Sequence, residues 1–142
     1  MTRSRMAALA LAATIAALPA FAGELSVTNA WSRATPPGVT VGVAYFTLEN
    51  DTGKPDRLLK ISSPVASKLQ VHRTEVLDGI ARMREVAVLH VDAGQVLEFA
   101  PNGMHVMLTG LKQPLVEGKT FEIEMLFELA GPRKVTVPVR KD

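Results

Sequence analysis

Short apolar runs alternate with turn-forming residues along the chain, and this rhythm restricts the fold more than any other feature. The turns are rich in Gly, Pro, Asn and Asp, as at 78–79. Runs that fit strands cover 25–30, 41–48, 58–61, 69–76, 83–91, 96–99, 105–108, 121–129 and 135–139. Because short runs at this spacing suit antiparallel strands joined by tight turns, they predict an all-β sandwich or Greek-key barrel. Residues 62–69 are also compatible with a short helix, although Pro64 counts against it.

Residues 1–22 have the layout of a secretory signal peptide. Arg3 and Arg5 precede an apolar run over 6–18, and small residues follow it. We therefore expect cleavage after residue 22 and one mature domain over 23–142, exported to the periplasm as a soluble protein. The apolar run is too short to span a bilayer, and no Cys follows it to carry a lipid, so stable membrane insertion is not expected.

Charge and cysteine content exclude several functions. Residues 1–22 hold two of the sixteen basic residues and none of the fourteen acidic ones, so the mature chain has a formal net charge of zero instead of +2. A neutral, aromatic-poor chain offers no electrostatic surface for nucleic acid or anionic lipid. The absence of Cys removes disulfides, thiolate metal sites and cysteine nucleophiles. Any chemistry must therefore use His, Met, carboxylates or hydroxyls.

His105 and Met107 are the first candidate site residues. Side chains alternate between the two faces of a strand, so in the stretch MHVML at 104–108 His105 and Met107 share one face. Met104, Val106 and Leu108 share the other face. We expect the apolar three to face the core, and His105 and Met107 to project together from the opposite side.

A predicted hairpin supplies a second pair of His and Met. The Asp-Gly sequence at 78–79, between two strand-like runs, favours a two-residue turn. In that register Met83 lies opposite Thr74. His72 lies opposite Glu85, which makes His72 and Met83 diagonal neighbours on one face. A three-residue loop would change this parity, and the sequence leaves that alternative open.

Two pairs of imidazole and thioether, each on one face, point to a soft metal ion. Thioether sulfur and neutral imidazole suit Cu(I), whereas Zn recruits Cys or carboxylates, and Mg or Ca takes oxygen ligands. The alternative is that these residues are unrelated surface or packing residues, since a single His or Met in a β domain is more often that than a ligand. Residue chemistry alone leaves both interpretations open.

The spacing of the four residues resembles that of a known family. His72, Met83, His105 and Met107 form H-x10-M-x21-H-x-M, which is similar to the copper-binding signature of the periplasmic PCu(A)C copper chaperones. Other stretches that look like the family are AWSRATPPG from Ala30, AYFTLEN from Ala44, DRLLKISSPVA from Asp56 and VHRTEVLDGIARMR from Val71.

The resemblance implies a cupredoxin-like Greek-key β-sandwich that binds Cu(I) through His72, Met83, His105 and Met107. It also implies a metallochaperone, not an enzyme, that supplies copper to a cytochrome c oxidase subunit, often beside a thioredoxin-like copper protein. The chain ends without the His/Met-rich tail that some relatives use for a second copper, so one Cu(I) per chain is expected.

Other function classes fit the sequence less well. An electron-transfer cupredoxin needs a Cys ligand, and the hydrolase motifs G-x-S-x-G and H-E-x-x-H do not occur. An exported structural or interaction β-sandwich without metal transfer is the remaining alternative. Outside the site we assign Met125 to the core, His90 to the surface, and Trp31, Arg33 and Tyr45 to structural roles. Met104 is assigned to the core, although a strand twist could bring it near the metal.

Overall fold

The structure, a computed structural model, describes residues 23–141. Within this range the chain forms ten β-strands, and no helix is long and apolar enough to cross a membrane. The strands are β1 (Leu25–Arg33), β2 (Val41–Asn50), β3 (Asp56–Ser62), β4 (Ala66–Leu77), β5 (Ile80–Glu85), β6 (Leu89–Val91), β7 (Val96–Glu98), β8 (Met104–Leu111), β9 (Thr120–Phe127) and β10 (Gly131–Arg140). The predicted signal peptide at 1–22 lies outside the described residues.

Hydrogen bonds join the strands in the order β5-β4-β8-β2-β1-β10-β9-β3-β6, and β7 pairs with β2 beside this path. The order divides into two sheets that meet where β1 pairs with β10 in parallel. One apolar cluster gathers buried side chains from both sheets, among them Phe46 of β2, Val106 of β8 and Phe127 of β9. The predicted all-β sandwich is therefore confirmed.

Strand alternation builds the core, as β9 illustrates. Its buried residues Phe121, Ile123, Met125 and Phe127 alternate with exposed ones. Burying a side chain of this size contributes about 1.5–3 kcal/mol relative to leaving it in water. Met125 is 2% exposed, so its predicted packing role is confirmed.

The run at 83–91 was predicted as one strand, and this prediction is wrong. β5 ends at Glu85, and β6 begins at Leu89 in the other sheet. Val86 packs against the core from an even position, whereas Leu89 and Val91 are buried at odd positions. A single straight strand buries one phase alone, so the chain bends and changes sheet.

The helix considered for 62–69 is not formed. Pro64 lies in a turn at 64–65, and β4 begins at Ala66. The Ser63 hydroxyl donates a hydrogen bond of 2.6 Å to the carbonyl oxygen of Glu122, which ties this turn to β9. The turn therefore connects the two sheets directly, and no room is left for a helix.

The β4–β5 hairpin has the predicted register. Thr74 pairs with Met83, and His72 pairs with Glu85. The loop at 78–79 has φ angles of 53° and 75°. Positive φ at both loop residues defines a type I′ turn, whose twist matches that of the flanking strands. The two-residue loop is therefore confirmed, and the three-residue alternative is wrong.

We expect Gly79→Val to loosen this hairpin selectively. A β-branched residue at a φ of 75° is strained by about 1–2 kcal/mol. No described atom lies within 4 Å of the Cβ that the substitution adds, so that atom gains no contact to offset the strain. Amide hydrogen exchange in β5 should accelerate by about tenfold, while β9 in the core keeps its protection. Exchange followed by NMR measures both.

Gly118→Val is the matched control. Gly118 has a φ of 82° and similarly open surroundings, and it lies in the loop before β9. Comparable strain at this position should leave exchange in β5 unchanged. Equal acceleration of β5 exchange in both variants would show that the turn does not hold the hairpin.

Candidate metal site

Three adjacent strands of one sheet carry the four predicted ligands. Met83 lies on β5, His72 on the middle strand β4, and both His105 and Met107 on β8. His72 pairs directly with His105. Paired residues share a face, and so do residues two apart on one strand. All four side chains therefore project from the same face of the sheet.

The opposite face of β8 belongs to the core, as predicted. Met104, Val106 and Leu108 are all buried. The guanidinium Nη2 of Arg73 lies 3.6 Å from the thioether sulfur of Met104, on the side of the sheet away from His105. Met104 is therefore a packing residue and does not belong to the candidate site.

His105 is oriented by a backbone carbonyl. The residue is 6% exposed, and its Nδ1 lies 3.2 Å from the carbonyl oxygen of Gly103. That oxygen also accepts a hydrogen bond of 3.1 Å from the amide of Thr74, so it links β4 to the imidazole. When Nδ1–H donates to Gly103, Nε2 keeps its lone pair, which is the state that binds a metal.

His72 has two ring nitrogens that are buried and lack a hydrogen-bond partner among the described residues. Its ring centroid lies 5.8 Å from that of His105, with 56° between the ring planes. Burial, and next the neighbouring His105, lowers the pKa of His72 below the usual 6.5, against the opposing effect of Glu85. The ring is therefore neutral and able to donate a nitrogen to a metal.

The two candidate thioethers differ in exposure. Met107 is half-buried, whereas Met83 is 60% exposed on the end strand β5. Within residues 23–141, no group of three or more His, Cys, Asp or Glu is arranged to hold a metal. The four candidate residues would supply two imidazoles and two thioethers, a neutral set that suits a soft, monovalent ion.

Sequence reasoning missed the direct pairing of His72 with His105 and the role of the Gly103 carbonyl. Local patterns give the faces of a strand but do not identify its neighbours when these are distant in sequence. The sequence did contain one signal: in each of the two strands, the His lies on the face opposite to the buried apolar residues. A backbone carbonyl leaves no such signal.

His90, Trp31 and Tyr45 occupy positions that fit the roles predicted for them. His90 is exposed on β6. Trp31 and Tyr45 have ring centroids 4.6 Å apart, and the guanidinium carbon of Arg140 lies 3.8 Å from the Trp31 centroid. This stack of side chains joins β2, β1 and β10, which fits the structural roles assigned to Trp31 and Tyr45.

Comparison with known proteins identifies the family. A family model described as LpqE-like, whose name refers to a lipoprotein, matches residues 25–139. The chain belongs to the LpqE-like family. It is similar to Lxx21020 of Leifsonia xyli subsp. xyli (strain CTCB07), named as a lipoprotein, with 32% identity over 120 residues that cover 84% of this chain and 71% of that one. Protein RP573 of Rickettsia prowazekii (strain Madrid E) is 30% identical over 116 residues, which cover 79% and 64% of the two chains.

This LpqE-like protein has the fold of PCuAC domains. The copper-bound PCuAC domain from PmoF2 matches with a TM-score of 0.71 and 23% identity over 85% of this chain and 96% of that one. The solution structure of the Cu(I) form of DR1885 from Deinococcus radiodurans matches with a TM-score of 0.66 and 32% identity, over 87% and 84% of the two chains. The predicted PCu(A)C family and cupredoxin-like β-sandwich are therefore confirmed, while the four ligands stay a prediction.

Replacing His72 should stabilise the metal-free LpqE-like protein. Its buried nitrogens lack partners, and burying a polar group without a hydrogen bond costs about 1–3 kcal/mol in proteins. His72→Leu removes that cost, so we expect the free energy of unfolding to rise by about 1 kcal/mol. Urea denaturation measures it. Gln70→Leu, on the same face of β4, is the control and should change stability less, because its half-buried amide can reach solvent.

The pH dependence of stability shows whether His72→Leu acts by removing a buried polar ring or by changing the packing. Because the pKa of His72 is lower in the folded protein, the unfolded chain takes up the proton first as the pH falls. Stability of the wild-type protein should therefore hold above about pH 6.5 and decline as the pH falls through the folded pKa. His72→Leu should flatten this decline. An unchanged decline, or a His72→Leu variant less stable than wild type at neutral pH, would contradict the assignment.

Proposed function

We propose that this LpqE-like protein binds one Cu(I) ion through His72, Met83, His105 and Met107 and delivers it as a metallochaperone. The observation that carries the proposal is the pairing of His72 with His105 on the face that also bears two thioethers, with both His72 nitrogens buried and unpartnered. Polar atoms left in this state need a ligand to offset the cost. The Cu(I) form of DR1885, 32% identical, supports copper as that ligand.

The donor set explains the preference for Cu(I). Four uncharged ligands hold a monovalent ion without burying net negative charge. Cu(II) instead favours tetragonal arrangements of nitrogen and oxygen. A blue copper centre for electron transfer requires a cysteine thiolate, and the chain has no Cys. Copper is therefore the cargo of the protein rather than a resident redox cofactor, and we propose a carrier instead of an enzyme.

Transfer follows from ligand exchange. Thioethers and imidazoles bind Cu(I) less strongly than thiolates do, so an acceptor with cysteine ligands draws the ion away from the site. The exposed thioether of Met83 is the donor that such an acceptor reaches first. The exchange passes through intermediates in which both proteins share the ion, and copper never has to enter water.

We further propose that the protein acts after export, in the periplasm. The signal-like layout of residues 1–22 and the names of the family and of one relative as lipoproteins support export. The resemblance to PCu(A)C chaperones supports a cytochrome c oxidase subunit as the final acceptor, reached directly or through a thioredoxin-like copper protein. Normal oxidase copper content in a strain that lacks the protein would contradict this destination.

Removing either sulfur donor should weaken copper binding without harming the fold. Leucine keeps the volume of methionine, so Met83→Leu and Met107→Leu should fold normally. Each should lower Cu(I) affinity by at least about tenfold, because one of four ligands is lost. Competition with a Cu(I) chelator under anaerobic conditions measures the affinity, and X-ray absorption should detect fewer sulfur neighbours.

Met125→Leu is the matched control, since Met125 is buried in the core and should not affect copper. Titration with Cu(II) in air should give weaker binding and no intense blue absorption. Preferential binding of Cu(II) by nitrogen and oxygen donors, unchanged in Met83→Leu and Met107→Leu, would contradict the Cu(I) carrier function.

A further inference from the structure

We infer that the copper acceptor docks by strand addition: an extended segment carrying a cysteine pairs with the outer edge of β5 and places its sulfur beside Met83. The inference rests on the proposed function and adds to it a docking surface and the chemistry of the partner. It starts from the position of β5, which ends the order of strands and has six exposed residues.

The backbone of β5 has hydrogen-bonding groups on its outer side. In a hairpin with a two-residue loop, the residues that flank the loop form a hydrogen-bonded pair, here Leu77 and Ile80. Such pairs recur at every second residue, so the N–H and C=O groups of Ala81, Met83 and Glu85 point away from β4. Outward groups of an edge strand are a template for another strand.

The copper ligands are open to a partner from this edge. Met83 is 60% exposed, whereas His105 is 6% exposed and the ring nitrogens of His72 are buried. The candidate ligands run inward from β5 through β4 to β8, so an incoming donor meets Met83 first. Leu77 and Ile80 add exposed apolar surface at the end of the hairpin, of the kind that protein contacts cover.

The positive charge of β5 favours an acidic partner segment over a second copy of this chain. Arg82 and Arg84 flank Met83 in sequence and lie on the other face of β5. If two copies paired β5 about Met83, the arginines of one copy would face those of the other, which is destabilising. On this face Arg84 lies 3.3 Å from Glu75, the only acidic residue among the β4 and β5 residues there. Because Arg73 and Arg82 lie on the same face, it carries a surplus of positive charge. A segment with an acidic residue on each side of its cysteine is complementary to it.

The exchange balances without any change of oxidation state. A cysteine opposite Met83 in the added strand lies on the face of the sheet that bears the four candidate ligands, because paired residues share a face. The bond between Cu(I) and the Met83 sulfur breaks as a bond to the cysteine sulfur forms, and the thiol proton passes to solvent. Copper stays Cu(I) throughout.

The test uses the Cu(I)-loaded protein and a short synthetic peptide of alternating Thr and Val with Glu-Cys-Glu at its centre. Ala81→Pro removes an outward N–H and blocks strand addition, while it leaves the bonds to β4 and the candidate ligands intact. Copper transfer to the peptide, followed by stopped-flow spectroscopy, should slow by at least about tenfold. Ala81→Val keeps the N–H and is the matched control, for which we expect the wild-type rate.

Chelator competition on each protein separates the two proposals. Failure of the wild-type protein to bind Cu(I) would refute the proposed function. Normal Cu(I) binding with equal transfer rates from Ala81→Pro and Ala81→Val would refute strand addition alone. If Ala81→Pro does not fold, the double variant Arg82→Glu with Arg84→Glu decides. It should transfer copper faster to a Lys-Cys-Lys peptide, whereas wild type should favour Glu-Cys-Glu, and an unchanged preference would overturn the docking surface.

Discussion

The register between β4 and β8 is the constraint on which the site depends. It pairs His72 with His105 on one face of the sheet. On the other face it pairs Val71 with Val106, which are 5% and 0% exposed. Because side chains alternate along a strand, a slip of one residue would turn an imidazole toward the core and a valine away from it. The free energy of burying the core face therefore also fixes the positions of the histidines on the face that bears the site.

Burial of His72 has two consequences that act together. Buried polar atoms without partners are rare, and they lower the stability of the protein that holds them. The same burial lowers the pKa of the ring and keeps it neutral, as a metal ligand must be. Beside it, the Gly103 carbonyl orients His105 through Nδ1. The metal-free protein thus keeps the His72 imidazole neutral and holds the His105 ring in a fixed orientation, at some cost to its own stability.

Sequence reasoning succeeded where the cause is local. Alternation separated His105 from Val106, and the turn at 78–79 fixed the register that brings Met83 near His72. It failed where the cause is distant. The change of alternation after Glu85 indicates a bend, but the sheet that β6 then joins depends on distant partners, and the pairing of β4 with β8 depends on the packing of the whole core. The spacing of the four candidate ligands indicated a family, but spacing carries no information about which strands lie side by side.

The four candidate ligands are not held equally firmly, and this difference bears on how a carrier both keeps and releases its ion. β4 and β8 have hydrogen-bonded neighbours on both sides, whereas β5 in the described part of the chain is bonded to β4 alone. Strands with fewer buried contacts open locally at a lower free energy than core strands do. In the proposed carrier, Met83 would therefore be able to move away from the ion while His72 and His105 stay in place. Retention would depend on the inner strands and release on the edge strand, without disruption of the core.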